Sequence, residues 1–297
     1  MNVYWPVYLN LESEINKLMY AIHMDDNHLG VYSSIITDLI LRASTEIETL
    51  SKELYKSNGG KQKKFLTYDY DCLEYLEQQW GLSKKRILIS SYNCFFSQKV
   101  LYPFKMNTPK TGKDGKLTYL WNNSYQNLKH DRSNSLHFGN VQSLFEAVGA
   151  LYVLNLYFKD TEFDIGTDGT GVSFDESQGS TIFSVYFHSG NAVEQDAPFT
   201  KKNDFEESLY LSVVIDATAE LFRQGLRKKS ESDLQYMFQK LTEYTDNGNP
   251  VDPEILKPLA EEWRFEAHKK TDSKIYMDIY NGQQQLKFKA VMNKNQY

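Results

Sequence analysis

Apolar residues recur at helical spacing through the first half of the chain. A stripe within residues 32–56 repeats close to every seven residues, and such a stripe needs a partner helix along its length. The sequence Asn58-Gly59-Gly60 ends this segment. Further helices are predicted at about residues 11–22, 71–80, 87–100, 117–131 and 141–158. The first half is therefore predicted to be an all-α helical bundle.

The pattern changes after Lys159. Residues 160–180 are acidic and rich in glycine, which indicates a linker or long loop. Residues 181–188 and 209–215 are typical of strands, and helices are predicted at 217–227, 231–244 and 258–269. Asn281-Gly282 lies between two alternating segments, 275–279 and 286–292, and predicts a hairpin. We therefore expect an α+β protein, with a helical bundle in residues 1–160 and a smaller α+β unit with a C-terminal β-hairpin in residues 161–297.

Overall charge argues against a chain that binds nucleic acid over its whole surface. Lys and Arg total 33 against 39 Asp and Glu, for a net charge of −6. A nucleic-acid contact would need a local basic cleft.

Cys72 and Cys94 lack metal-site or disulfide-scaffold spacing, so free thiols are expected. The sequence shows no signal peptide and no apolar run of about 20 residues, so we expect a cytoplasmic protein without a membrane partner.

The candidate chemistry is concentrated in residues 120–137, LWNNSYQNLKHDRSNSLH. Trp121, Tyr125 and Leu128 share one helical face and predict a core contact. Arg132 offers a planar positive group suited to phosphate, and His130 and His137 can transfer a proton near neutral pH. Cations in the last turn of a helix also stabilise its dipole, so a purely structural role is the alternative interpretation.

Arg132 and His137 are five positions apart. On a straight helix that spacing separates two side chains by about 140°. The two side chains converge only if the helix ends between them or if two copies of the segment face each other. Ser133, Asn134 and Ser135 favour an interruption, since such side chains compete with the helical backbone for hydrogen bonds.

The string NLKHDRSNSLH, residues 127–137, resembles the Arg-x4–6-His signature of the HEPN superfamily, with Arg132 and His137 at the signature positions. The resemblance covers roughly residues 10–158. It implies a metal-independent endoribonuclease without a cofactor, active as a homodimer and often part of toxin–antitoxin, abortive-infection or other antiviral systems. The implied partners are RNA and an antitoxin or another defence protein.

The resemblance also implies roles for individual residues. His137 would assist proton transfer while an RNA 2′-hydroxyl attacks the adjacent phosphorus, and Arg132 would stabilise the phosphoryl charge. Asn127, Lys129 and His130 would bind the substrate. Ser133 follows Arg132, where the family usually has Asn, Asp or His. This departure supports the alternative, a non-catalytic HEPN-like interaction or nucleotide-binding module.

No His, Asp or Glu cluster has metal-ligand spacing, so no metal site is predicted.

Overall fold

The computed structural model describes residues 2–113, 115–167, 170–189 and 203–296. The helices in chain order are α1 (Tyr4–Ala21), α2 (Ser34–Ser57), α3 (Glu74–Trp80), α4 (Leu120–His130), α5 (Arg132–Ser135), α6 (Val141–Lys159), α7 (Asp216–Asp246), α8 (Pro253–Lys270) and α9 (Ser273–Gln284). The strands are β1 (Ile87–Ile89), β2 (Val100–Leu101), β3 (Thr108–Pro109), β4 (Leu117–Thr118), β5 (Phe163–Gly166), β6 (Phe183–Val185), β7 (Phe187–His188), β8 (Tyr210–Val214) and β9 (Phe288–Met292). The chain is therefore α+β.

Helices α2 and α6 pack against each other at the centre of the protein. The Ser33 hydroxyl caps α2 by accepting a hydrogen bond from the Ile36 amide at 3.1 Å, and Asn140 caps α6 by accepting one from the Ser143 amide at 2.9 Å. Both caps satisfy amides that the first helical turn leaves free. The partner helix that the seven-residue stripe of α2 requires is thus α6.

The apolar composition of helix α6 matches its position inside the protein. Among the described residues it is the one helix long and apolar enough to cross a membrane, but 83% of its apolar window is buried inside the structure. Its buried side chains join those of α1, α2 and α4 in one hydrophobic cluster.

Within the described residues, three small sheets accompany the helices. The first has the order β2-β1-β6, in which Ile87 pairs with both Leu101 and Val185. The second consists of β3 and β4, and the third has the order β5-β9-β8-β7. Because β6 pairs with β1, and because one apolar cluster holds residues from both sides of residue 160, the two halves share structure. The division into residues 1–160 and 161–297 as separate units stays a prediction.

Several sequence predictions are wrong. The first half is not all-α, since β1 to β4 lie within it, and the helix predicted at 87–100 is replaced by strands and loops. Strand β5 forms in the predicted linker, of which residues 168–169 lie outside the described residues. The two helices predicted between 217 and 244 are one helix, α7.

The predicted C-terminal hairpin is also wrong. Residues 273–284 form α9, and only the second predicted strand, β9, is present. Gly282 explains the difference, because a Cβ there would lie 2.5 Å from the Phe222 backbone nitrogen of α7. A Cβ on Gly225 of α7 would likewise lie 2.8 Å from the Ile279 side chain. The glycine that suggested a turn instead allows two helices to approach closely.

Candidate functional site

Helix α4 positions the predicted site by its buried face. Trp121, Tyr125 and Leu128 are all buried, as the sequence predicts. The Trp121 ring nitrogen donates a hydrogen bond to the Pro103 carbonyl oxygen at 3.0 Å. This face fixes the rotation of α4, so that Lys129 and His130 at its end are exposed.

The helix breaks at Asp131, whose backbone angles are φ −147° and ψ 58°. The short α5 follows, and then a 3-10 turn, Leu136–Phe138, which lies next to both α4 and α2. The Ser33 amide donates to the Gly139 carbonyl oxygen at 3.3 Å, which joins the turn to the start of α2. The interruption predicted at Ser133–Ser135 is misplaced, since these residues form α5 and the break lies before Arg132. Arg132 and His137 are nevertheless not on one straight α-helix, because α5 gives way to the 3-10 turn between them.

Arg132 forms an ion pair with a residue that the sequence analysis did not single out. Its Nη2 atom lies 2.7 Å from Oδ1 of Asp38 on α2. The side chains are 46% and 61% exposed, respectively, so water and salt reach both. An exposed pair of this kind contributes about 0–1 kcal/mol. The guanidinium is thus available to an anion that can compete with one carboxylate.

Lys129 is held against Tyr125 on the same helix. Its Nζ atom lies 3.2 Å from the Tyr125 hydroxyl and 5.0 Å from the centre of that ring. The hydrogen bond to Tyr125 raises the pKa of Lys129. Lys129 therefore carries its positive charge at neutral pH.

His130 and His137 are both exposed. The His137 ring packs on Phe138 with 4.3 Å between ring centres, and the His137 carbonyl oxygen accepts a hydrogen bond from Asn140 at 2.9 Å. Within the described ranges no hydrogen bond or ion pair joins His137 to Arg132. Their joint action stays a prediction.

Asn127 is half-buried and its amide is already engaged. The Nδ2 atom donates to the Asn123 carbonyl oxygen at 2.7 Å and lies 3.1 Å from the Thr111 hydroxyl. Asn127 thus ties α4 to the loop that contains Thr111. Lys129, His130 and Arg132 are the predicted residues that the end of α4 brings together in the open, with His137 on the turn that follows.

The two cysteines are not part of this site. Cys72 and Cys94 are buried free thiols, and burial raises the pKa of each to about 11. Neither is therefore an ionised nucleophile at neutral pH. Over the ranges that the structure covers, no group of three His, Cys, Asp or Glu side chains could hold a metal ion.

Sequence reasoning missed Asp38, and no local signal could have found it. Asp38 and Arg132 are 94 positions apart, and their pairing depends on how α5 lies against α2.

Comparisons with protein-family models, curated proteins and solved structures find no match to this chain. The likeness to HEPN domains therefore rests on residues 127–137 and on the helical pattern around them.

Proposed function

We propose that this chain is a metal-independent endoribonuclease of HEPN type that acts in the cytoplasm as a toxin or antiviral effector. The observation that carries the proposal is the break at Asp131, which leaves Lys129, His130 and Arg132 exposed at the end of α4 with His137 on the adjoining turn. Cations beside exposed imidazoles are the groups that RNA cleavage by 2′-hydroxyl attack requires.

The chemistry assigns one task to each side chain. His137 accepts or donates the proton while the 2′-oxygen attacks phosphorus and the 5′-oxygen leaves. Arg132 exchanges its contact with Asp38 for the phosphoryl oxygens. Lys129 and His130 bind neighbouring phosphates, and Asn127 orients the loop through Thr111. The products are a 2′,3′-cyclic phosphate and a 5′-hydroxyl, and DNA is inert because it lacks the attacking hydroxyl.

The proposal includes a homodimer and a protein partner. In the dimer two copies of residues 127–137 would face each other, which supplies a second Arg132 and His137 to one cleft. The second half would bind the antitoxin or another defence protein. Phe238 on α7 and Phe265 on α8 are the candidate contacts, since their side chains are 66% and 61% exposed. The role requires that such exposed apolar side chains form one contiguous patch, because contiguous patches mark surfaces that bind proteins.

The test is RNA cleavage in EDTA by purified wild-type protein, Arg132→Ala and His137→Ala. Loss of one proton-transfer group is expected to lower the rate by about 100- to 10,000-fold, and loss of a charge-stabilising group by about 100- to 1,000-fold. A single 2′-deoxy substitution at the mapped cleavage position should block cutting there. Mass spectrometry of the products identifies the cyclic phosphate.

Matched controls separate the site from general effects of charge and fold. Arg42→Ala removes an exposed arginine of α2 that bonds to Asn10, and His23→Ala removes an imidazole that is 60% exposed. Both should cleave as the wild type does. Equal cleavage by Arg132→Ala, His137→Ala and the wild type would contradict the proposal.

A second candidate function is a HEPN-like interaction or nucleotide-binding module without turnover. Ser133 favours it, because the family usually has Asn, Asp or His after the signature arginine. This alternative predicts that the wild type binds a nucleotide or a partner protein and gives no RNA cleavage product.

A further inference from the structure

A pocket of about 560 Å³ lies between α6, the sheet of β1 and β2, and the loop that leads to β3. A volume in this range is typical of sites for small molecules. None of the five site residues predicted from the sequence lines it. The pocket is therefore distinct from the proposed RNA site.

Glu146 of α6 contributes a carboxyl group to this pocket. It is the one charged residue between Val141 and Phe158. The side chain is half-buried, and among the described residues it has no hydrogen-bond or ion-pair partner. Burial raises the pKa of Glu146 to about 7. The carboxyl group faces a pocket lined by both polar and apolar groups, and none of the described residues pairs with it, so a ligand can supply the missing partner.

The surroundings of Glu146 combine aromatic walls with a small net negative charge. Phe96 and Phe145 line the pocket and pack edge to face, with 5.2 Å between ring centres. Asp26 and Lys105 also line it, and Asp26 accepts a hydrogen bond from the Ser97 amide at 2.9 Å. With Glu146 ionised, the two carboxylates and one ammonium give the lining a net charge of −1. This balance favours a singly charged organic cation.

We propose that the pocket binds a small organic cation, whose planar amidinium or guanidinium group pairs with Glu146 and whose apolar body contacts Phe96 and Phe145. Two parallel N–H···O bonds to one carboxylate give such a group both affinity and orientation. The aromatic rings add a cation–π contribution. The proposal is independent of the proposed RNA cleavage.

Binding should depend on pH with a defined sign. A cation favours the ionised form of Glu146, so complex formation below about pH 7 releases a proton, and affinity should rise from pH 6 to pH 8. Asp26, Lys105 and Tyr102 also face the pocket. Comparison of the wild type with Glu146→Gln isolates the contribution of Glu146 from theirs.

The test is isothermal titration of the full chain with benzamidine, phenylguanidine and benzylguanidine, and with benzamide as the neutral isostere of benzamidine. We expect at least one cation to bind at least tenfold more tightly at pH 8 than benzamide does. Glu146→Gln should weaken that cation at least tenfold and remove its pH dependence. Glu231→Gln, which neutralises an exposed glutamate on α7, should bind as the wild type does.

Two results would overturn the proposal. One is that none of the three cations binds the wild type below 10 mM. The other is that Glu146→Gln binds them as tightly as the wild type while its thermal unfolding shows that it is folded. Arg132→Ala should retain cation binding, so loss of the RNA-cleavage proposal would leave this one standing.

Discussion

Arg132 on α5 and Asp38 on α2 are joined by an ion pair of 2.7 Å in which both side chains face solvent. The pair links the short helix after the Asp131 break to the first turns of α2. On the proposed function, this carboxylate lies where a phosphate group of RNA would have to bind. Asp38 would then compete with RNA for Arg132.

Asp38→Asn should raise RNA affinity. Removal of the competing carboxylate is expected to tighten binding about two- to fivefold, because an exposed pair contributes about 0–1 kcal/mol. Fluorescence anisotropy with a 2′-O-methyl RNA, which lacks the attacking hydroxyl, measures binding without cleavage. The gain should shrink in 0.5 M KCl, since salt screens exposed charges. Glu53→Gln removes an equal charge from an exposed side chain of α2 and should change affinity less. Equal gains in both variants would attribute the effect to net charge alone.

Glu12→Ala should destabilise the fold. Glu12 is 3% exposed and accepts hydrogen bonds from the Tyr8 hydroxyl at 2.9 Å, the Thr181 amide at 3.0 Å and the Ser180 hydroxyl. The variant leaves the buried Tyr8 and Ser180 hydroxyls one partner short, at a cost of about 2–4 kcal/mol in the free energy of unfolding. Urea denaturation measures the change. Glu14→Ala, on the exposed face of α1, should cost about 0.5 kcal/mol or less.

Lys85 should make stability rise with pH above neutrality. It is fully buried, its Nζ donates to the Glu206 carbonyl oxygen at 2.9 Å, and burial lowers its pKa to about 7. As pH rises above 7 the folded protein loses this proton, while the unfolded chain keeps it until about pH 10.4. The unfolded state therefore binds more protons in this window, and stability increases with pH.

The measurement for Lys85 is urea denaturation at pH 7 and pH 9. The wild type should gain up to about 2–3 kcal/mol from this group over the two pH units. Lys85→Met should lose most of that gain, whereas Lys84→Met, which alters an exposed pair with Glu206, should retain it. A wild type and a Lys85→Met variant with parallel pH profiles would show that the Lys85 ammonium is not destabilised by burial.

Helices α2 and α6 were predictable because their signals are local. Each has an apolar stripe and a capping side chain within a few residues of its start, Ser33 and Asn140. Strand β1 was not, because the residues that make it a strand lie in β6, far along the chain. By themselves, the three residues of β1 fit a helical pattern as well as a strand pattern, so the local sequence does not distinguish the two.

The hairpin error has a different origin. Asn281-Gly282 between alternating apolar residues is a strong turn signal. Here Gly282 lies against the Phe222 backbone of α7, and Ile279 of α9 lies next to Gly225 of α7. A contact between two helices is not visible in a local sequence window.

The site was predictable only in part. The residue types of the 127–137 segment follow from the sequence. An interruption near Arg132 was predicted, but at Ser133–Ser135, whereas the structure breaks the helix at Asp131 and makes residues 132–135 a short helix. The pairing of Arg132 with Asp38 depends on tertiary structure. Glu146 carried a signal that the sequence analysis did not use: it is the one charged residue in the apolar stretch between Val141 and Phe158.

Strand β9 occupies an interior position, between β5 and β8, although it follows both of them in the chain. Until residues 288–292 are synthesised, β5 and β8 lack the neighbour that both pair with. A nascent chain up to that point exposes two unpaired strand edges, which are sites of mispairing. Chains cut short before residue 288 should therefore be recognised and degraded as misfolded.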